Sequence, residues 1–160
     1  MMKKTFRIAT IVYLILLAGT LGAGLYAGIV VAPVTFHTEQ WLGTGLLSHF
    51  QEGLIMTENF VRLSYLVDAT LVVIFLYEGY KYKMFERDSM TTLSALIAIA
   101  SGLFFGHYYL PDILTMQMAG EAMTQSDTFA AVHRASEIDF KVFSAALLVL
   151  IVQNMRKACR

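Results

Sequence analysis

The residues best suited to chemistry crowd into "TFAAVHRASEIDFK", Thr128 to Lys141, where a histidine, an arginine, two acids and a lysine precede an apolar run. His133 and Glu137 are four residues apart, so a helix presents both on one side. His107 lies upstream, and "MQM" sets Met116 and Met118 on either side of Gln117. Imidazole, thioether and carboxylate together make a copper ligand set, with the sulfurs favouring Cu(I). On that reading the metal ligands are His107, His133, Glu58, Glu137, Met116 and Met118. His107 and His133 also suit the axial positions of a b-type haem held between neighbouring helices. The plainer alternative is that the methionines fill packing gaps and that His133 and Glu137 share a structural hydrogen bond.

The elements that must position these residues follow from composition. Of 160 residues, 57% are hydrophobic and only 15% charged, which is more apolar surface than a soluble domain of this size can hide. A helix needs about 20 residues to cross about 30 Å of hydrocarbon. Four apolar stretches meet or approach that length, predicting transmembrane helices over residues 6–31, 59–78, 91–110 and 135–154 of a single domain, 1–160. The expected fold is an all-α membrane protein, a four-helix bundle. The start, "MMKKTFRIATIVYLILLAG", has the basic lead of a signal peptide. Its apolar run continues to Val31, longer than a signal core of about 7–15 residues, and so reads as an uncleaved helix. Cys159 stands alone and forms no internal disulfide. No CxxC, P-loop, Rossmann or hydrolase signature occurs, which favours a non-enzyme and leaves enzyme activity open.

Charge orients the bundle. Lys3, Lys4 and Arg7 precede the first stretch, Lys81, Lys83 and Arg87 follow the second, and Arg156, Lys157 and Arg160 close the chain. Glu39, Glu52, Glu58, Asp112, Glu121, Asp127 and Glu137 gather toward the other side. The positive-inside rule then places both termini in the cytoplasm of a bacterium with the bundle in its inner membrane. A net charge of zero implies no nucleic-acid partner. The lipid bilayer is the implied partner, with a homo-oligomer or a membrane complex left open. Between the first two spans, "WLGTGLLSHFQEGL" repeats apolar residues at helical spacing and predicts a short interfacial helix. Pro111 is expected to open an outer loop, and Ser126 or Asp127 to cap the last helix. Gly24, Gly28 and Ala32, and likewise Ala98, Gly102 and Gly106, form small-residue stripes suited to close helix contacts.

Depth pairs the remaining charges. Counting from Gln153 and Glu78, Lys141 lies about 18 Å and Asp68 about 15 Å from the inner boundary. An unpaired charge at such depth costs several kcal/mol, which predicts ion pairs: Asp68 with Lys141, Arg62 with Glu137 or Asp139, and Glu58 with His133. Two polar faces, Glu58–Arg62–Tyr65–Asp68 and His133–Glu137–Lys141–Ser144, would then zip the second span to the fourth.

Two stretches carry a family likeness. "APVTF" (Ala32, Pro33, Phe36) and "FAAVHRAS" (Phe129, His133, Ser136) resemble a four-helix membrane family of unknown function. That family includes the eukaryotic transmembrane protein implicated in cisplatin resistance, and is distantly similar to copper resistance D proteins and to a haem-associated protoporphyrinogen oxidase. The resemblance implies a four-crossing fold. The paired histidine-rich signature of the haem-associated enzyme is absent. Three functions stay open: copper handling at the outer face, a haem or redox module, and a structural or assembly subunit with no ligand.

Overall fold

The computed structural model describes residues 4–84 and 88–158, and their regular structure is helical throughout. Lys3, Arg87, Cys159 and Arg160 lie outside the described residues. Helix α1 (Lys4–Tyr26) runs on through a π-helical turn (Ala27–Val31) into α2 (Ala32–Thr35), and one turn of α3 (Glu39–Leu42) follows. The long α4 (His49–Lys83) descends from there. Then α5 (Ser89–Phe104) passes through a second π-turn (Phe105–Tyr109) into α6 (Leu110–Met118). A short α7 (Glu121–Thr124) leads to α8 (Asp127–Ala158). Three rods, Phe6–Thr35, His49–Lys83 and Ser89–Met118, are long and apolar enough to cross a membrane. The protein is an integral membrane protein. α8 is comparably long at 32 residues, with its acids and His133, Arg134 and Lys141 concentrated in its first half.

Both prolines sit two residues beyond a π-turn, Pro33 after Val31 and Pro111 after Tyr109. A proline ring clashes with the preceding turn and lacks an N–H. Widening that turn to i→i+5 bonding accommodates both defects while the rod continues. Pro111 therefore does not start a loop. The helix carries on to Met118, and the polar outer loop expected after Pro111 shrinks to the few residues around α7.

The interfacial helix is also corrected. Gly43 and Gly45 have φ of 89° and 86°, a left-handed backbone that ends α3 after one turn. Ser48 then caps α4 in a reciprocal box with Gln51, so His49 to Leu54 are the first turns of the long helix and not a separate interfacial one. At the last helix, Ser126 Oγ accepts from the Phe129 N–H at 3.2 Å.

In cross-section the rods form a ring: α1 packs on α4 and α8, and α5 packs on α4 and α8, with α5–α8 the most extensive contact. α4 and α8 are therefore diagonal neighbours. The predicted zipper between their polar faces does not form, because α1 and α5 stand between them. Tyr13, Leu17, Val67, Ile74, Phe143, Leu147 and Leu150 fill the centre. Of the small-residue stripes, Gly102 lets Leu71 approach so closely that a Cβ would lie 2.7 Å from Leu71 Cδ2. Gly24 likewise makes room for the Phe140 ring, 2.8 Å from where its Cβ would be.

Candidate functional site: a cavity on one diagonal

Where α4 and α8 do not meet, a cavity of about 850 Å³ opens between them, also walled by α1, α6 and α7. Its volume lies in the range of small-molecule sites, about 300–1,000 Å³. Leu25, Ile29, Phe60, Phe105 and Phe140 make one part of the wall apolar. The three phenylalanines pack edge-on and tilted against one another, with centroids 4.7–5.9 Å apart.

The polar part is a ladder along α8. Glu137 takes His133 Nε2 on one oxygen and Lys141 Nζ on the other, each at 3.3 Å. All three side chains are about half exposed or more, and all line the cavity. Two histidine–phenylalanine ring pairs also line it: His133 stacks on Phe129 (5.9 Å, 6°) and His49 tilts on Phe36 (5.4 Å). The hydroxyls of Ser136 and Ser144 donate to backbone carbonyls of His133 and Phe140. No cavity serine is thus held by an imidazole as a nucleophile would be.

The site residues expected from sequence are distributed differently. His133 and Glu137 line the cavity together. His107 does not; its Nε2 meets Asp68 at 3.0 Å on another face of the bundle. Asp68 is therefore partnered by His107 rather than Lys141, because α5 lies beside α4 and α8 lies across from it. Lys141 finds Glu137 on its own helix. Arg62 binds Glu58 one turn away at 2.9 Å, so neither Glu137 nor Asp139 holds it and Glu58 does not reach His133. Asp139 Oδ2 is buried with no hydrogen-bond partner among the described residues. Met116 and Met118 stay out of the cavity wall; the member of "MQM" that enters it is Gln117. Gln117 is buried, its Nε2 donates to Thr57 Oγ1 at 2.9 Å, and its Oε1 has no partner among the described residues. Among those residues no group of three or more His, Cys, Asp or Glu side chains is placed to hold a metal ion.

The family described as a domain of unknown function, DUF4149, matches residues 15–122, more than half of the sequence. The chain belongs to that family. No curated protein and no solved structure matches it. In this DUF4149 chain the matched region ends before α8, so it supplies the α1, α4 and α6 walls of the cavity but not the ladder from His133 to Lys141.

A second polar cluster at the other end of the same diagonal escaped sequence reasoning. Glu78 Oε1 accepts from Tyr13 Oη at 3.0 Å and from Asn154 Nδ2 at 2.9 Å. Lys81 Nζ bridges Glu78 Oε2 at 3.1 Å and Asn154 Oδ1 at 2.7 Å, and sits 5.4 Å from the Tyr77 ring centroid. Tyr77 Oη in turn shares a 2.7 Å bond with Thr10. Lys81 and Asn154 are buried, as is Tyr13. In sequence Glu78 and Lys81 looked like the edge of a cytoplasmic loop, and Gln153–Asn154 like the end of a span. The readable signal was the i,i+3 spacing of Glu78 and Lys81, which makes an ion pair on one helix side.

Proposed function

We propose that this protein is a four-crossing inner-membrane protein that binds an amphipathic small molecule in the cavity between α4 and α8. The reading places both termini in the cytoplasm and the cavity in the outer half of the bundle. Charge supports the orientation. Lys81, Lys83, Arg156 and Lys157 share one end, where Lys157 Nζ reaches Asp88 at 3.0 Å, while the acidic Glu39, Glu121 and Asp127 belong to the other.

One observation carries the ligand class. Along a single wall of α8 Phe140 stands beside the Lys141–Glu137–His133 ladder, and among the described residues no group of three metal donors forms there. An apolar floor takes a hydrocarbon or ring body, and a mixed donor–acceptor ladder takes a polar head. A cation site fits poorly there, since the Lys141 ammonium already occupies one oxygen of the only carboxylate in the ladder and repels a metal. A haem bridging His107 and His133 is disfavoured because those side chains serve different faces. Among the described residues the copper likeness of the sequence therefore has no donor set behind it.

Native mass spectrometry of protein extracted in mild detergent should show an adduct of an amphiphile. Gly28 lines the cavity and nothing lies within 4 Å of where its Cβ would be, so Gly28→Leu should fill the space and remove the adduct while leaving the fold intact. Metal analysis of the same sample discriminates copper. Protein that carries copper and no amphiphile would overturn the reading.

A further inference from the structure

On the face of α4 turned away from the cavity, a polar stripe stands exposed where a membrane helix should meet hydrocarbon. The stripe is Glu58, Arg62, Tyr65 and Asp68, with His107 joined to Asp68 from the second π-turn. Spacing separates it from the cavity: Gly53, Thr57 and Phe60 line the cavity, Glu58, Arg62 and Tyr65 turn away from them around the helix, and Asp68 stands at the edge of the stripe toward His107. The side chains of Arg62 and Glu58 are 76% and 57% exposed, and those of His107 and Asp68 are 60% and 37%. Two other exposed faces are what lipid requires. α1 presents Ile8, Ile11 and Ile15, and the lower half of α4 itself presents Val72, Phe75 and Leu76. Counted from Glu78, Asp68 lies about 15 Å, Arg62 about 24 Å and Glu58 about 30 Å along α4, within a hydrocarbon layer of about 30 Å or at its edge. Ionisable groups at that depth face protein or water rather than lipid.

We propose that this stripe is the docking surface for a second copy of the same chain. Charge selects that occupant. Signs alternate along the helix, with Glu58 acidic, Arg62 basic and Asp68 acidic, so the stripe holds its own complement. In a two-fold contact between chains inserted the same way, residue i of one copy meets residue j of the other and the reverse. Arg62 of each copy then reaches the partner's Glu58 one turn away, and the 2.9 Å pair within one chain is shared between two. Tyr65, between the charges, brings apolar area with a polar tip to the centre of the contact. A different membrane protein would need its own charges of matching sign and depth.

The test uses the full chain in membrane vesicles, with Cys159→Ser so that an introduced thiol is the sole one. Under mild oxidation Tyr65→Cys should give a covalent dimer and Ile15→Cys, on the apolar face of α1, should not. Adding Arg62→Glu should lower the dimer yield about tenfold, and adding Glu58→Arg to that variant, which exchanges the two charges, should restore it. Two differently tagged copies of the unaltered chain should co-purify, which needs no charge reversal to fold. Equal cross-linking at both positions, indifference to Arg62→Glu, or failure of the tagged copies to associate would each overturn the proposal. So would a Tyr65→Cys adduct with a different protein. None of these outcomes depends on whether the cavity holds a ligand.

Discussion

The two ends of the α4–α8 diagonal solve the same problem in opposite ways. At the basic end, Glu78, Lys81, Asn154 and Tyr13 reach across it, and each charge is buried and hydrogen-bonded. At the other end the polar side chains of α8 turn to neighbours on their own helix, and the diagonal stays open as a cavity. Between them lies a dry layer of Leu17, Val67, Ile74, Leu147 and Leu150, all essentially without exposure. The difference lies in what the charges bind. Long-range partners close a bundle, whereas pairs within one helix leave it free to take something else in. A buried pair depends on every member, while a half-exposed ladder is screened and replaceable.

The comparison breaks most readily at the clasp. Lys81→Met leaves the Glu78 carboxylate buried without its cation, and should cost about 3–5 kcal/mol of stability. Adding Glu78→Gln removes the stranded charge, so the double variant should be more stable than Lys81→Met alone. Thermal unfolding in detergent measures both, and simply additive losses would show that the cluster does not act as a unit.

Packing should divide along the same line. At Gly102 a new Cβ meets Leu71, itself buried in the dry layer, and Gly102→Ala should cost about 1–3 kcal/mol. At Gly24 the Cβ meets only the tip of the Phe140 ring, which borders open cavity. Gly24→Ala should therefore cost less than about 1 kcal/mol and be felt as weaker ligand retention. If both variants unfold at the same temperature, the cavity is not available for Phe140 to move into.

Glu137→Gln tests the open end directly. With its partners half exposed, its loss should change stability by under about 1 kcal/mol. Release of His133 and Lys141 should still alter the amphiphile seen by native mass spectrometry. A large loss of stability with unchanged binding would make the ladder a structural element like the clasp.

The smallest effect is expected at Asp88, the cap of α5. The Thr91 hydroxyl, with the Lys157 ammonium beside it, holds this carboxyl at about 2 against an ordinary 3.8. A value depressed by folding contributes stability above about pH 4 that is lost as pH falls toward about 2. Asp88→Asn keeps a capping oxygen but loses the ion pair. It should cost at most about 1 kcal/mol at neutral pH, and the gap to wild type should vanish near pH 2. A gap that persists there would assign the effect to the cap instead.

What the sequence determined by itself was written in local pattern. Apolar runs of membrane length gave the helical rods, because solvation of an apolar side chain does not depend on its partners. Ser126 as a helix cap was legible for the same reason, whereas the period of Leu42, Leu46, Phe50 and Leu54 masked the Ser48–Gln51 box. The i,i+4 neighbours His133–Glu137 and Glu137–Lys141 were visible as one helix face. What only the tertiary structure decided was which rod stands beside which. Similar depth made Asp68 and Lys141 look like partners, yet depth fixes one coordinate, and the ring order of α1, α4, α5 and α8 fixes the other two. That order gave Asp68 to His107, opened the cavity where a zipper was expected, and joined Tyr13, Glu78, Lys81 and Asn154 across more than a hundred residues of chain. Helix-to-helix contact among apolar surfaces in lipid is set by fine packing, and hydropathy carries no record of it.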